Sequence, residues 1–581
     1  SKSLTAGEWN AIALVYNEND TEGTVAVYLN GEEVLAATGI GFKLSEKTGI
    51  VGAFGATFGT GFMRTGLYDN IVVTGTADAD AAKTETEAPA EAEKPAGEEI
   101  AEGGTFVYPI AADVQNLSAY AGQGTTEGET VFRALYNPLY KVGADGIRYY
   151  LAEKVEKSDD GKEFTITLRD DIKWHDGEPI TADDLMFFPQ YYKSYAKING
   201  EEITFEKVDE RTVRILLPTA SATYWQKIGA VQMLPYHLYK DVPLEEIKTT
   251  ELNELGIGSG PYKLKEWNKG ESIVVERFDD YFAGKAHFDT IVFKILPDDN
   301  AREVAYKSGE LSFKRIEDDL QLENYQKDEN STVYLYDENR VNYMAFNANS
   351  DLMGNIVARQ AITYALNQEE IVYGAAGSNL AKIANSIYSP GNLYYNPDRP
   401  SYVQDVEKAK TLAAEANLFS RPLKLIYDSN YSSLANCAII IQEQLAAIGI
   451  QVEVQGLVTA GYNQIFFYAQ EGDWDMGLKN YPTSGDNSGP SFMFKKGNML
   501  AANYCARDEA LALWVAGEET LDESKRAEIY AQLDDVTDQD FAMYRLSYPQ
   551  IGIVADKHLR GLMEITLSPL FEDWMRIYAV K

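Results

Sequence analysis

Asp486 is the one acid in YPTSGDNSGPSFMF, the stretch that runs from Tyr481 to Phe494. Around it stand Pro482, Ser484, Gly485, Asn487, Gly489 and Pro490, residues that interrupt regular structure. A carboxylate held in such a turn between aromatics can pair with a cation in a water-poor recess, where a charge-assisted hydrogen bond is strong. A solvated surface turn is the plainer reading of the same residues. Few other groups compete for chemistry. His175, His237, His287 and His558 are far apart, and Cys437 and Cys505 lie outside any CxxC pattern, so no metal set is expected. GIGSG near Gly256 lacks the spacing and lysine of a phosphate loop. No Ser or Cys sits in a nucleophile elbow. The paired acids Asp298-Asp299 and Asp534-Asp535 read as solvated surface. No catalytic residue and no cofactor is expected.

The elements that hold such a turn belong to a long chain. Its 581 residues suffice for three or four compact units. Lys plus Arg is 52 and Asp plus Glu is 89, a net charge of −37. That charge argues against nucleic acid and against docking on anionic lipid, and suits a soluble, monomeric protein. No apolar run is long enough to span a membrane. The opening SKSLTAGEW reads as the interior of a longer gene product, so a signal or lipid anchor is expected to have been removed.

Residues 78–104, DADAAKTETEAPAEAEKPAGEEIAEGG, are Ala, Glu, Thr and Pro with almost no large apolar side chain, and read as a mobile acidic linker. Residues 1–77 before it are all β. WNAIALVY and TVAVYLN alternate, and Asn30-Gly31 marks a tight hairpin into EEVLAA. With the closing LYDNIVV, these stretches resemble part of a concanavalin A-like jelly roll of the laminin-G type. A spacer or adhesion role is as consistent with them as sugar binding.

After the linker the pattern is α/β. FTITL (164–168) alternates as a strand; Thr181, with Asp184 three residues on, predicts a helix starting at Ala182. Residues 435–448 have helical periodicity, Gly449 ends the helix, and Ile450, Val452 and Val454 alternate as a strand. LAEKVEKSDDGKEFTITLRDDIKWHDGEPITADDLMFF resembles the signature of the family 5 extracellular solute-binding proteins, the peptide-binding components of ABC importers. GSGPYKLKEW, MAFNANSDLMGNIVARQAITYALNQEEIV, IIIQEQLAAIGIQVEV and DWDMGLKNY continue the likeness in order.

The resemblance implies a two-lobed fold of the periplasmic-binding-protein type II kind with an extra domain. Lobe I would comprise 105–142, 256–342 and 551–581, the extra domain 143–255, and lobe II 343–550. Two interlobe crossings, near 340–346 and 548–554, would make a hinge with ligand trapped in the cleft. In peptide binders of the family an Asp in a lobe II turn holds the ligand's α-amino group, and Gly485-Asp486-Asn487 matches that turn. Tyr481 is the nearest aromatic to pack against the ligand. Where dipeptide binders present an arginine for the ligand carboxylate, this chain has YDSNYSS, with Tyr427 and Tyr431 as candidate contacts and no basic residue. A longer peptide therefore fits better than a dipeptide. Gly124 and Thr125, in GTTE, match the lobe I contact to peptide backbone. The implied partners are an oligopeptide, or alternatively an oligosaccharide, and the permease subunits of an importer; a surface adhesion or sensor role is a further alternative. The implied location is extracellular or periplasmic.

Overall fold

The computed structural model describes residues 12–17, 24–29, 32–38, 43–44 and 50–51, and residues 99–581 apart from 123–124, 144–145, 199, 430, 468–472, 484, 494–507 and 563–572. Ser1–Glu85 and Thr86–Lys581 form separate compact units. In the first, β1 (Ile12–Asn17), β2 (Thr24–Leu29) and β3 (Glu32–Thr38) form an antiparallel sheet. Leu29 pairs with Glu32, which leaves two residues, Asn30-Gly31, for the connection. LYDNIVV and most of the expected linker lie outside the described residues. The linker's expected end is held: Ile100 and Ala101 pair with Val580 and Ala579, and Gly103 N donates to His287 O at 2.8 Å.

The second unit opens with β4 (Thr105–Ile110), whose alternation puts Phe106, Tyr108 and Ile110 inward. The helix α1 (Thr126–Leu135) follows. β5 (Ala152–Lys157), β6 (Glu163–Leu168), β7 (Thr204–Lys207) and β8 (Thr212–Leu216) form a sheet of order β5-β6-β8-β7. The helix α2 (Ala182–Tyr191) packs on it and starts where Thr181 predicts. Thr181 N donates to Asp184 Oδ2 at 2.7 Å, half of a capping box. β9 (Tyr262–Asn268), β10 (Ser272–Arg277) and β11 (Thr290–Ile295) then join β4 in the order β9-β10-β11-β4. One contiguous hydrophobic core serves this sheet and the β5–β8 sheet, with Phe106 and Trp574 at its centre, ring centroids 5.7 Å apart.

Two of the motif stretches turn out to touch each other. His175 N donates to Gly258 O at 2.9 Å, and Gly258 N donates to His175 Nδ1 at 3.1 Å. Nδ1 must therefore accept, so Nε2 carries the proton and donates to Gly260 O at 3.1 Å. A Cβ on Gly258 would lie 1.9 Å from Leu135 O, so only glycine lets this loop dock on the end of α1.

A mixed sheet runs through both lobes. Its strands are β12 (Phe313–Ile316), β13 (Ser331–Asp337), β14 (Arg340–Phe346), β15 (Leu423–Asp428), β16 (Val452–Leu457), β17 (Met476–Pro482) and β18 (Met543–Asp556). The order is β12-β18-β14-β17-β15-β16, with β13 also on β18. The helix α3 (Ser432–Ala446) starts three residues before its periodicity does, and Gly449 takes φ 92° after it. Separate apolar clusters cover the two faces, one under α3 and the other under α4 (Asp508–Glu519) and α5 (Glu523–Gln539). The paired acids are not simply solvated. Asp298 caps a helix by accepting from Ala301 N at 2.8 Å. Asp534 is buried, with Arg399 Nε at 3.1 Å and Arg545 Nη1 at 3.7 Å.

Candidate functional site

β18 is the strand that joins the lobes. Its first half pairs with β14 from Met543 to Ser547, and its second half with β12 and β13 from Gln550 to Asp556. The second crossing is the β13–β14 connection, where Asn339 takes φ 52°, a left-handed conformation that asparagine tolerates. Thus the chain crosses at 338–341 and 547–550, slightly ahead of the expected positions. Glu338 N donates to Pro549 O at 3.0 Å, so the two crossings are tied to each other. Two adjacent strands with a short tie can bend as a unit.

Parallel strands β15, β16 and β17 all end at the same sheet edge. In open α/β sheets that edge is where loops and helix starts leave room for a ligand. Here it presents Tyr427, Asp428, Tyr431, Lys479, Asn480 and, from the start of β14, Arg340. Arg340 donates to Asn480 Oδ1 at 3.0 Å and stands 3.2 Å from Glu338. Tyr431 is 45% exposed, yet burial raises its pKa, and the charges that act on its hydroxyl are Arg340, Asp428, Glu338 and Glu127. Glu127 belongs to α1 in lobe I, so Tyr431 looks across the crevice between lobes. Solvent access combined with crowding on both sides is the property of a cleft wall. Lys479 is pushed down to about 8 by burial, with Asp428 opposing that shift and Arg340 adding to it.

The lobe I side of the same crevice comes from α1, β4, β12 and β13. Thr125 caps α1 by accepting from Gly128 N at 3.1 Å, so its hydroxyl serves the helix; Gly124 lies outside the described residues. Glu127 and Thr130 on α1 lie near Tyr108 on β4, which also feels Arg315 on β12. Arg315 in turn feels Glu338, Glu317, Tyr336 and Tyr108.

The 481–487 loop differs from expectation. Tyr481 is 3% exposed, its hydroxyl donates to Ile387 O, and its ring meets Tyr343 edge-on at 5.5 Å. It is a core residue and not an aromatic wall. Gly485 takes φ 63° and bridges Asn392; Gly485 N donates to Gly391 O at 3.0 Å. Asn487 is fully buried, and its Oδ1 accepts from Tyr394 N at 3.0 Å. Asp486 is not an open carboxylate: Arg526 on α5 holds it, and the two side chains are only 9% and 4% exposed. Arg526 also donates to Gly517 O at 2.9 Å and lies against the stacked Tyr394 and Tyr530 rings. Its pKa is raised because Asp486 more than offsets the lowering by burial.

This loop runs from hinge to rim. Thr483 N donates to Asn339 O at 2.8 Å at the hinge, and Ser491 Oγ donates to Glu518 at 3.2 Å. Glu518 reaches the segment after β8, outside lobe II: its carbonyl accepts from Ala222 N at 2.9 Å, and Lys227 stands 3.7 Å from its carboxylate. The cleft is therefore closed at its rim.

The family model for bacterial extracellular solute-binding proteins, family 5 middle, matches residues 146–498. The chain belongs to this family. The dipeptide-binding protein of Escherichia coli (strain K12) is 26% identical over 509 residues, 78% of this chain and 93% of that protein. The oligopeptide-binding protein AppA of Bacillus subtilis (strain 168) is 28% identical over 391 residues, 63% of this chain and 71% of AppA. Among solved structures, the ABC transporter substrate-binding protein CtaP of Listeria monocytogenes is 28% identical with a TM-score of 0.76, covering 83% of this chain and 100% of CtaP. As a family 5 protein the chain has the two-lobed α/β fold. Arg315, Tyr336, Glu338, Arg340, Lys479 and Arg526 were not found by sequence reasoning. Only the alternation Tyr336, Glu338, Arg340 across the expected crossing could have pointed to some of them.

Among the described residues no group of three or more His, Cys, Asp or Glu could hold a metal ion. Cys437 is buried, and burial pushes its thiol up to about 12, where it is unreactive.

Proposed function

We propose that this protein captures oligopeptides in the interlobe cleft outside the cytoplasmic membrane and delivers them to the permease subunits of an ABC importer, as a monomer and without catalysing a reaction. One observation carries the reading beyond the names of the relatives. The crevice walls hold charges of both signs within reach of Tyr431: Glu127, Asp428 and Glu338 against Arg340, with Lys479 beside it. That mixture suits a zwitterion with a peptide backbone; a neutral sugar has no use for it. In this reading Tyr427 and Tyr431 pack on the peptide, and residues 124–125 border its backbone.

Asp486 is the proposed partner of the α-amino group. A carboxylate accepts about four hydrogen bonds. Asp486 Oδ1 takes one from Arg526 at 2.8 Å and one from Ser488 N at 2.9 Å, while Oδ2 stands in ionic contact without a well-aligned donor. An ammonium would share the carboxylate with Arg526. The N-terminal β unit serves in this reading as a spacer, and a lipid anchor would hold the protein beside its permease. Native mass spectrometry of the protein as purified should find co-bound peptides; a bound oligosaccharide in their place would overturn the reading.

A further inference from the structure

Among the described residues Arg315, an exposed residue of β12, has no hydrogen-bond or ion-pair partner. Arg315 pairs across the ladder with Ile553, which pairs on its other side with Tyr334. Directly opposed residues share a sheet face, so Arg315, Tyr334 and Tyr336 project on one side, with Tyr336 one step nearer the hinge. Phe313, two residues before Arg315, is on that face too, its ring centroid 4.8 Å from that of Tyr108. Among the described residues the Arg315 guanidinium makes no hydrogen bond and no ion pair of 4.0 Å or less; Glu338 and Glu317 act on it only at longer range. Glu338 is already engaged by Arg340 at 3.2 Å. Beside it, Tyr336 Oη is buried and hydrogen-bonds to no described group. Burial holds that phenol well above its ordinary pKa, so it stays a donor.

An exposed guanidinium with no partner among the described residues, on the same sheet face as a buried, unused hydroxyl donor, offers an anion a fork of N–H donors and one O–H. We propose that Arg315, with Tyr336 Oη, anchors a carboxylate of the bound ligand at the hinge end of the cleft. This rests on the peptide reading and deepens it. The loop 427–433, which has no basic residue, then need not supply the carboxylate partner, because lobe I does. The carboxylate is either the peptide's C-terminus or an acidic side chain.

The probe is a pool of synthetic tetrapeptides, screened by native mass spectrometry against the full chain. The tightest binder is then measured by calorimetry as the free acid, as the C-terminal amide and with any Asp or Glu replaced by Asn or Gln. The wild type should lose roughly 10- to 100-fold in affinity for one of the neutralised forms, and which form it is identifies the source. Arg315→Gln should bind acid and neutral forms alike. Tyr336→Phe should lose part of the preference. Because Arg315 is exposed and touches no acceptor among the described residues, Arg315→Gln should melt with the wild type; Tyr336→Phe supplies a second variant if it does not. If acid and neutral peptides bind the wild type equally, or Arg315→Gln keeps the preference, the anchor is refuted while peptide capture stands. If no peptide of the pool binds at all, both readings fall.

Discussion

Arg526 holds Asp486 through one nitrogen: Nη2 lies 2.8 Å from Oδ1 and 2.6 Å from Oδ2. The turn that carries Asp486 and the helix that carries Arg526 are thereby locked together inside lobe II. Breaking a buried ion pair from one side leaves the other charge stranded. Asp486→Asn should therefore cost the ligand-free protein about 3 kcal/mol, although the amide can still accept one hydrogen bond. Urea unfolding of the empty protein would show it. An unchanged midpoint would mean that the pair is solvated in solution.

The same carboxylate is the proposed seat of the ligand's ammonium, which makes two effects separable. N-acetylating a bound peptide should weaken wild-type binding about tenfold, less than for an unshared carboxylate, because Arg526 already neutralises part of the charge. Acetylation should matter far less in Asp486→Asn. Calorimetry on the four combinations gives the coupling. Strict additivity would remove the amine from Asp486.

His175 predicts an acid-sensitive fold. Burial pushes its pKa down to about 4 from 6.5, outweighing the backbone hydrogen bonds to Gly260 and Gly256 that favour the charged ring. Between these values the unfolded chain binds a proton that the folded one does not. Stability is therefore intact above pH 6.5 and falls as pH drops toward 4. The loss from this one group is on the order of 3 kcal/mol. Denaturant titrations at pH 7 and pH 4.5, on the wild type and on His175→Asn, test it. The variant should show a shallower pH dependence; equal slopes would contradict the assignment.

Closure predicts a change of size. Ligand entry requires the rim contact between Ala222 and Glu518 to part, with bending at 338–341 and 547–550. In solution the empty protein should be parted at this contact, so small-angle scattering should give a larger radius of gyration without ligand than with saturating ligand. Identical profiles would mean that the lobes do not move.

Limited proteolysis should cut within residues 78–98, where the Ala/Glu/Pro composition cannot bury itself, and release a stable fragment. Cleavage should stop before residue 99, because Lys581 N donates to Glu99 O at 2.9 Å and the strand pairing begins just after it. Resistance of residues 78–98 to protease would argue against a linker there.

The start of α2 could be read from Thr181 and Asp184, and the inward faces of β4 and β6 from Phe106, Tyr108, Phe164 and Ile166, because caps and alternation are set by residues two to four apart. The motif order identified the family for the same reason, since each motif is a local run. What stands opposite a residue is another matter. Asp486 and Arg526 are 40 positions apart, and a helix of mixed charges gives no sign of which cation will meet that acid. The period of two placed Tyr481 on a face, but only the packing of Tyr343 against it made that face core. Asp534 reads like any acid on a polar helix until Arg399 and Arg545 close over it. Arg315 is one residue of a short strand, and only the ladder sets it in line with Ile553 and Tyr334, where no acid stands. Charge pairing acts over a few ångströms of space, and only the tertiary structure decides which residues share that space.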